Sequence, residues 1–276
     1  MAAVAEDRHP EGSRLAASRR TQERQGCDTL LPGRGIFGYT QRTVTLFTFS
    51  PEELTAIELS LRVGFWAMLG SLPFGVAVAL LLARGRFWGR SLLNVFVHLP
   101  LVMPPVVTGY ILLLLFGRRG PLGRLLEEGL GIVIAFRWTG AALAGAVMGF
   151  PLLVRAIRLS VDAVDRRLEA AAGTLGASPF WVFQTVTLPL ILPGIVAGMI
   201  LAFARSLGEF GATITFVSNI PGETQTIPTA IYMLTQVPSG DVAALRLTLV
   251  SVAISIAALL AAEIMAERAT RRSVGL

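Results

Sequence analysis

The 276-residue chain has no lysine: all 24 of its basic residues are arginine. A phosphate-binding P-loop needs a lysine that reaches the terminal phosphates, so that kind of ATP site is excluded and any ATP hydrolysis coupled to this chain must come from a partner. Cysteine is limited to Cys27, which excludes an intrachain disulfide, and no Cys/His spacing resembles a metal site. His9 and His98 are the only two histidines, too few and too far apart for a catalytic cluster; His98, set in an apolar run, reads as a packed helix residue. Charge is scarce too. Charged residues make up 15% and hydrophobic residues 53% of the chain, with a mean hydropathy of +0.65, which is too apolar for an ordinary soluble domain. No cofactor, metal or catalytic residue is expected. The net charge of +6 is read as orientation in, and contact with, membrane lipid, with no role in nucleic-acid binding.

What the chain does have is long apolar runs. A helical span needs about 20 mainly apolar residues, and five stretches approach this, at about 58–83, 91–117, 136–157, 193–217 and 245–265. The expected fold is an all-α polytopic membrane protein with five transmembrane helices in a domain over 51–270, followed by a short tail at 271–276. Residues 1–50 are rich in Arg, Gly, Ser and Thr, carry no apolar stretch long enough to span and no signal-peptide core, and are expected to be a disordered, dispensable extension. Ten arginines (Arg84, Arg86, Arg90, Arg155, Arg158, Arg166, Arg167, Arg268, Arg271 and Arg272) fall on one set of connections. The positive-inside rule then puts the N-terminus outside and the C-terminus and its tail in the cytoplasm.

Small residues recur at helical spacing, Gly145 and Gly149 in the third run and Gly194, Gly198, Ala202 and Ser206 in the fourth, the kind of stripe that lets helix backbones approach closely. Pro100, Pro104 and Pro105 are expected to bend or interrupt the second run, which is tolerable only where protein or water satisfies the freed carbonyls. Between the third and fourth runs, over about 158–190, lies a long connection. Val161, Val164, Leu168, Ala171 or Ala172 and Leu175 recur at three- or four-residue steps and predict a helix with one apolar face. Gly176 interrupts it, and Ser178 followed by Pro179 reads as the N-cap and first turn of a second short helix.

This connection resembles the loop shared by permease subunits of binding-protein-dependent ABC importers, with Ala171, Ala172, Gly176, Val186, Leu188 and Pro189 in the matching places. The family's usual Glu falls on Ala170, and Glu169 sits one position earlier. The stretches HLPLVMPPVVTGYILLLLFGRRG, FPLLVRAIRLSVDAVDRRLEAAAGTLGA and AFARSLGEFGATITFVSNIPGETQTIP look like those of molybdate permease subunits. The resemblance implies a homodimer of this subunit, two cytoplasmic ATP-binding subunits, and a periplasmic molybdate-binding protein that delivers the anion. It also implies an ATPase-coupling role for Glu169, Ala170, Ala171, Ala172, Gly176 and Pro189. Sulfate, thiosulfate and tungstate permeases are the alternatives within transport.

Arg205 and Glu209 lie four residues apart inside the fourth run. A charge at mid-bilayer depth costs about 2.5–3.5 kcal/mol on insertion scales, so the two are expected to pair. Two readings stay open: an ion pair that supports packing, or an anion pathway or gate in which Arg205, beside Ser206 and Gly208, faces the dimer axis and Glu209 holds it in place. An intramembrane enzyme is the distant alternative, because Ser206 is the one hydroxyl beside a charge inside a span and no histidine shares its helix.

Overall fold

The computed structural model describes residues 48–274; the expectations for the N-terminal extension fall almost entirely outside them. Eleven helices and no strand are present among the described residues. In chain order they are α1 (Pro51–Arg84), α2 (Arg90–Val102), α3 (Pro105–Phe116), α4 (Pro121–Leu130), α5 (Trp138–Ala163) and α6 (Arg166–Thr174). There follow α7 (Pro179–Val182), a π-helical turn (Phe183–Thr187), α8 (Leu188–Leu207), α9 (Gly211–Val217), α10 (Ile227–Leu234) and α11 (Asp241–Val274).

Four stretches are long and apolar enough to cross a membrane: Pro51–Arg84, Trp138–Ala163, Pro179–Leu207 and Asp241–Met265. The fifth expected span is a broken one. α2 and α3 meet at an angle of 114°, because Pro104 and Pro105 have no N–H to donate and drive the residue before each of them out of the helical region. Met103 and Pro104 are accordingly extended, with ψ of 145° and 132°. The bend turns α3 onto α9, where a Cβ on Gly109 would lie 2.5 Å from the Ala212 carbonyl oxygen.

α1 starts with a capping box. The Glu53 N–H donates to Ser50 Oγ at 3.2 Å, and the Ser50 N–H donates to Glu53 Oε2 at 2.6 Å, which satisfies two of the free donors at the helix start. α5 is the centre of the bundle. Its Leu153, Val154, Ile157 and Val161 are buried against Ala79 and Leu82 of α1 and Ile191 and Ile195 of α8. Nearer its N-terminus, Ala141, Ala144 and Met148 pack with Leu59, Val63 and Phe216. The two small-residue stripes face each other. A Cβ on Gly145 would strike the Ser206 side chain, one on Gly149 would lie 2.9 Å from the Ala202 carbonyl oxygen, and one on Gly194 would strike Ser160. The stripe thus sets how closely α5 and α8 approach. Away from this core, large apolar side chains of α11 such as Ile256, Leu259 and Leu260 stay exposed, as a helix facing hydrocarbon requires.

Two expected boundaries move. The fourth span runs over Pro179–Leu207 instead of 193–217, since the short helix opened by Ser178 and Pro179 does not stop but continues through the π-helical turn into α8. Pro189 cannot donate to Thr185, and its ring would collide with that carbonyl; a widened turn just before it lets the helix continue. The apolar face expected over 161–175 is also split. Asp165, whose side chain accepts from the Arg167 N–H at 2.9 Å, starts a separate helix, α6. Val161 and Val164 are buried below the break, while Leu168 and Leu175 are exposed above it.

Candidate functional site

The loop residues gather where α1 ends and α2 and α8 begin. α6 buries none of its residues, and Ala170, Ala171 and Gly176 are exposed with Ala172 partly so. Gly176 follows the end of α6 at φ +86°, a conformation an L side chain rarely adopts. Ser178 caps the next helix, accepting from the Trp181 N–H at 3.4 Å. Pro189 is not in the loop; it lies exposed in the first turn of α8.

Glu169 points back into the bundle. Its Oε1 accepts from Arg84 Nη2 at 2.9 Å and from Thr187 Oγ1 at 2.7 Å, and Arg84 also reaches the Val161 carbonyl at 3.5 Å. One carboxylate therefore joins α6 to the last residue of α1 and to the turn that leads into α8. The result is an exposed helix, small-residued on its free side and tied to two membrane helices on the other. A force applied to α6 is thereby passed to both.

The second group sits at the far end of α8, about 19 residues or roughly 29 Å along its axis. Arg205 Nη1 and Glu209 Oε2 pair at 2.6 Å, with Arg205 27% and Glu209 2% exposed. They do not share one helix: α8 ends at Leu207, and Glu209 lies in the break before α9, where its Oε1 accepts from the Ala212 N–H at 2.9 Å. The carboxylate thus closes the break as well as holding Arg205. Ser206 is buried against Gly145 of α5 with no hydrogen-bond partner for its hydroxyl, and Gly208 is exposed.

Sequence reading missed a further buried pair. Glu53 Oε1 accepts from Arg246 Nη2 at 2.8 Å and from Nε at 3.0 Å, joining the starts of α1 and α11. The sequence Ser50-Pro-Glu-Glu53 signals the capping box but not its partner nearly two hundred residues on. On the same pattern, the Ser60 hydroxyl accepts from the Ile227 N–H at 2.7 Å and fixes α10 against α1.

Residues 71–271 match the family described as binding-protein-dependent transport system inner membrane component. The chain belongs to this family. The permease is 57% identical over 221 residues, 80% of its own length and 96% of the other's, to the molybdenum transport system permease protein ModB of Escherichia coli. It is 54% identical over 220 residues to the ModB protein of Haemophilus influenzae, again covering 80% of the permease and 96% of that protein. Its fold is similar to that of a bacterial alginate ABC transporter crystallised with an alginate-bound periplasmic protein, with a TM-score of 0.63, 21% identity and 82% of each chain covered. The permease is a multi-pass inner-membrane subunit and not an enzyme; ATP hydrolysis belongs to a separate subunit.

Proposed function

We propose that this permease carries molybdate across the inner membrane as the membrane-spanning subunit of an ATP-driven importer. The observation that carries the reading is the 57% identity to a molybdenum permease across 96% of that protein's length. In the assembly it forms a homodimer, docks two ATP-binding subunits on its cytoplasmic side, and receives the anion from a periplasmic binding protein. The N-terminus then lies outside and the C-terminus inside, which places α6 and the arginine-rich connections in the cytoplasm.

Within that assembly the exposed Ala170, Ala171 and Gly176, with the half-buried Ala172, form the surface that enters the ATPase groove, since small side chains allow close approach. Glu169 acts from behind that surface through Arg84 and Thr187, which accounts for a carboxylate displaced from the family's usual position. Pro189 supports the link by holding the π-helical turn at the base of α8. At the other end, Arg205 is the anion-facing charge of the pathway and Glu209 holds it partly neutralised, so that a dianion is not trapped. Ser206 and Gly208 support that end, the first by packing on α5 and the second by opening the helix terminus.

The test is uptake by vesicles containing the permease, its ATPase and its binding protein. ATP-dependent accumulation of molybdate that tungstate competes and sulfate does not is the expected result. Accumulation of sulfate in preference to molybdate would move the protein to the sulfate class.

A further inference from the structure

At the end of the bundle that carries α6, α2 and α5 form an open cavity of about 270 Å³ lined by Asn94, His98, Arg155, Arg158, Leu159 and Asp162, of which Arg155, Leu159 and Asp162 are exposed. Asn94 and His98 are one turn apart on α2, and Arg155, Arg158 and Asp162 recur at steps of three and four on α5, so each helix turns one polar stripe into the seam. Asn94 Oδ1 accepts from Arg158 Nη1 at 3.0 Å, and Asp162 Oδ2 lies 3.6 Å from Arg158 Nε. That guanidinium is fixed while several of its five N–H donors stay unused. His98 Nδ1 donates to the Asn94 carbonyl at 2.8 Å, so the ring is held by its own helix.

Arg155 is different. It is exposed at the rim of the cavity, and no hydrogen bond or ion pair joins it to any described residue. On the cytoplasmic side it stands at headgroup depth, where an anion can reach it. Two arginines against one carboxylate leave the cavity positive. Its volume is several times the roughly 30 Å³ share of one water in the liquid, enough for a small oxyanion with its own waters.

We propose that this seam is an oxyanion-binding site that takes a tetrahedral, phosphate-like group, with Arg158 as the preset donor and Arg155 as the arm that closes on it. The group is either the headgroup phosphate of an anionic lipid or a free oxyanion. Arg158 is already held by Asn94 and Asp162, whereas Arg155 at the rim brings a second guanidinium with its donors unused. The planar fork of arginine suits such a ligand, and basic pockets between membrane helices on the cytoplasmic side are seats for lipid headgroups. The site is distinct from Arg205. It begins about ten residues along α5 from Gly145, against which Ser206 packs, or roughly 15 Å.

The assembled importer, with its ATPase subunits, provides the test in two arms. In the first, complexes in nanodiscs of phosphatidylglycerol and phosphatidylethanolamine are released into a native mass spectrometer and the phosphatidylglycerol retained per subunit is counted. In the second, complexes in purely zwitterionic lipid are titrated with inorganic molybdate and the thermal unfolding midpoint is followed. Arg155→Gln is expected to weaken retention or the molybdate response about tenfold, the loss of one charge-assisted contact. Loss in the lipid arm alone supports the site with a headgroup as its ligand, and loss in the molybdate arm supports it with a free oxyanion. Wild-type behaviour of Arg155→Gln in both arms overturns the proposal. Should that variant fail to assemble, Arg155→Lys decides in the same way, because it keeps the charge and loses the fork.

Discussion

Replacing Glu169 by glutamine or alanine is expected to loosen α6 from the membrane helices while leaving its free surface intact. Oε1 of Glu169 holds Arg84 at 2.9 Å and Thr187 at 2.7 Å. Arg84 and Glu169 are 25% and 23% exposed, so water screens their attraction; a pair of this kind is worth about 0.5–1 kcal/mol. The Thr187 hydroxyl, bonded to a charged acceptor, adds about 1.5 kcal/mol. Glutamine keeps an acceptor oxygen for Thr187 and loses the charge, so Glu169→Gln costs about 1 kcal/mol and Glu169→Ala about 2 kcal/mol. Differences of that size change the ratio of tied to untied α6 by roughly five- to thirty-fold. The assay measures ATP hydrolysis and molybdate uptake in the same vesicles. Hydrolysis should persist while anion carried per ATP falls, more for alanine than for glutamine. Arg84→Gln and Thr187→Val should reproduce the loss, because they cut the same tie from its other side. The reasoning fails if Glu169→Gln sheds the ATPase subunit on purification while Arg84→Gln and Thr187→Val transport normally, since the carboxylate would then be a direct docking contact.

Gly149→Val pushes a side chain into the Ala202 backbone 2.9 Å away and should cost at least about 1–3 kcal/mol, seen as low membrane abundance; Gly70→Val, which meets nothing within 4 Å, serves as control. Gly176→Val also meets nothing within 4 Å, but its φ of +86° imposes backbone strain of about 1–2 kcal/mol, so abundance should hold while uptake per ATP drops, with Gly176→Asn milder. Arg246→Met strands Glu53, which is 4% exposed, and should destabilise by about 3–5 kcal/mol in a denaturation series, with Glu53→Gln added to it recovering part of the loss. If Arg205 faces the anion as proposed, Arg205→Gln combined with Glu209→Gln, which leaves no buried carboxylate without its partner and keeps an acceptor for the Ala212 N–H, removes a charge-assisted contact of about 1.5–3 kcal/mol; uptake should fall at least about tenfold at normal abundance, and unchanged uptake would remove Arg205 from the pathway. Exchanging the two charges is the poorer experiment, because an arginine at 209 could not accept that N–H.

The sequence by itself determined the solvent and the class. Long apolar runs with few charges admit only helices, because in hydrocarbon the backbone must satisfy its own hydrogen bonds, and the missing lysine assigned ATP chemistry to another chain. Local signals also placed several features: Ser178 and Pro179 start a helix, Gly176 follows one, and the glycine stripes mark a close helix contact. Each depends on residues a few positions apart, or on one face of one helix.

Tertiary structure decided what joins distant parts of the chain. Glu169 was legible as a carboxylate near an expected docking position, but its direction depended on Arg84 and Thr187, which come from two other segments. Glu53 and Arg246 are 193 positions apart, and nothing local to either names the other. The run that contained Arg205 and Glu209 escaped the sequence for another reason, since its bonds are local. Hydropathy continues smoothly through it, while α8 ends at Leu207 and the Glu209 carboxylate accepts from the Ala212 N–H at the start of the next helix. Hydropathy averages over a window and cannot see a single hydrogen bond, whereas a helix terminus in a membrane depends on whether its free polar groups find one.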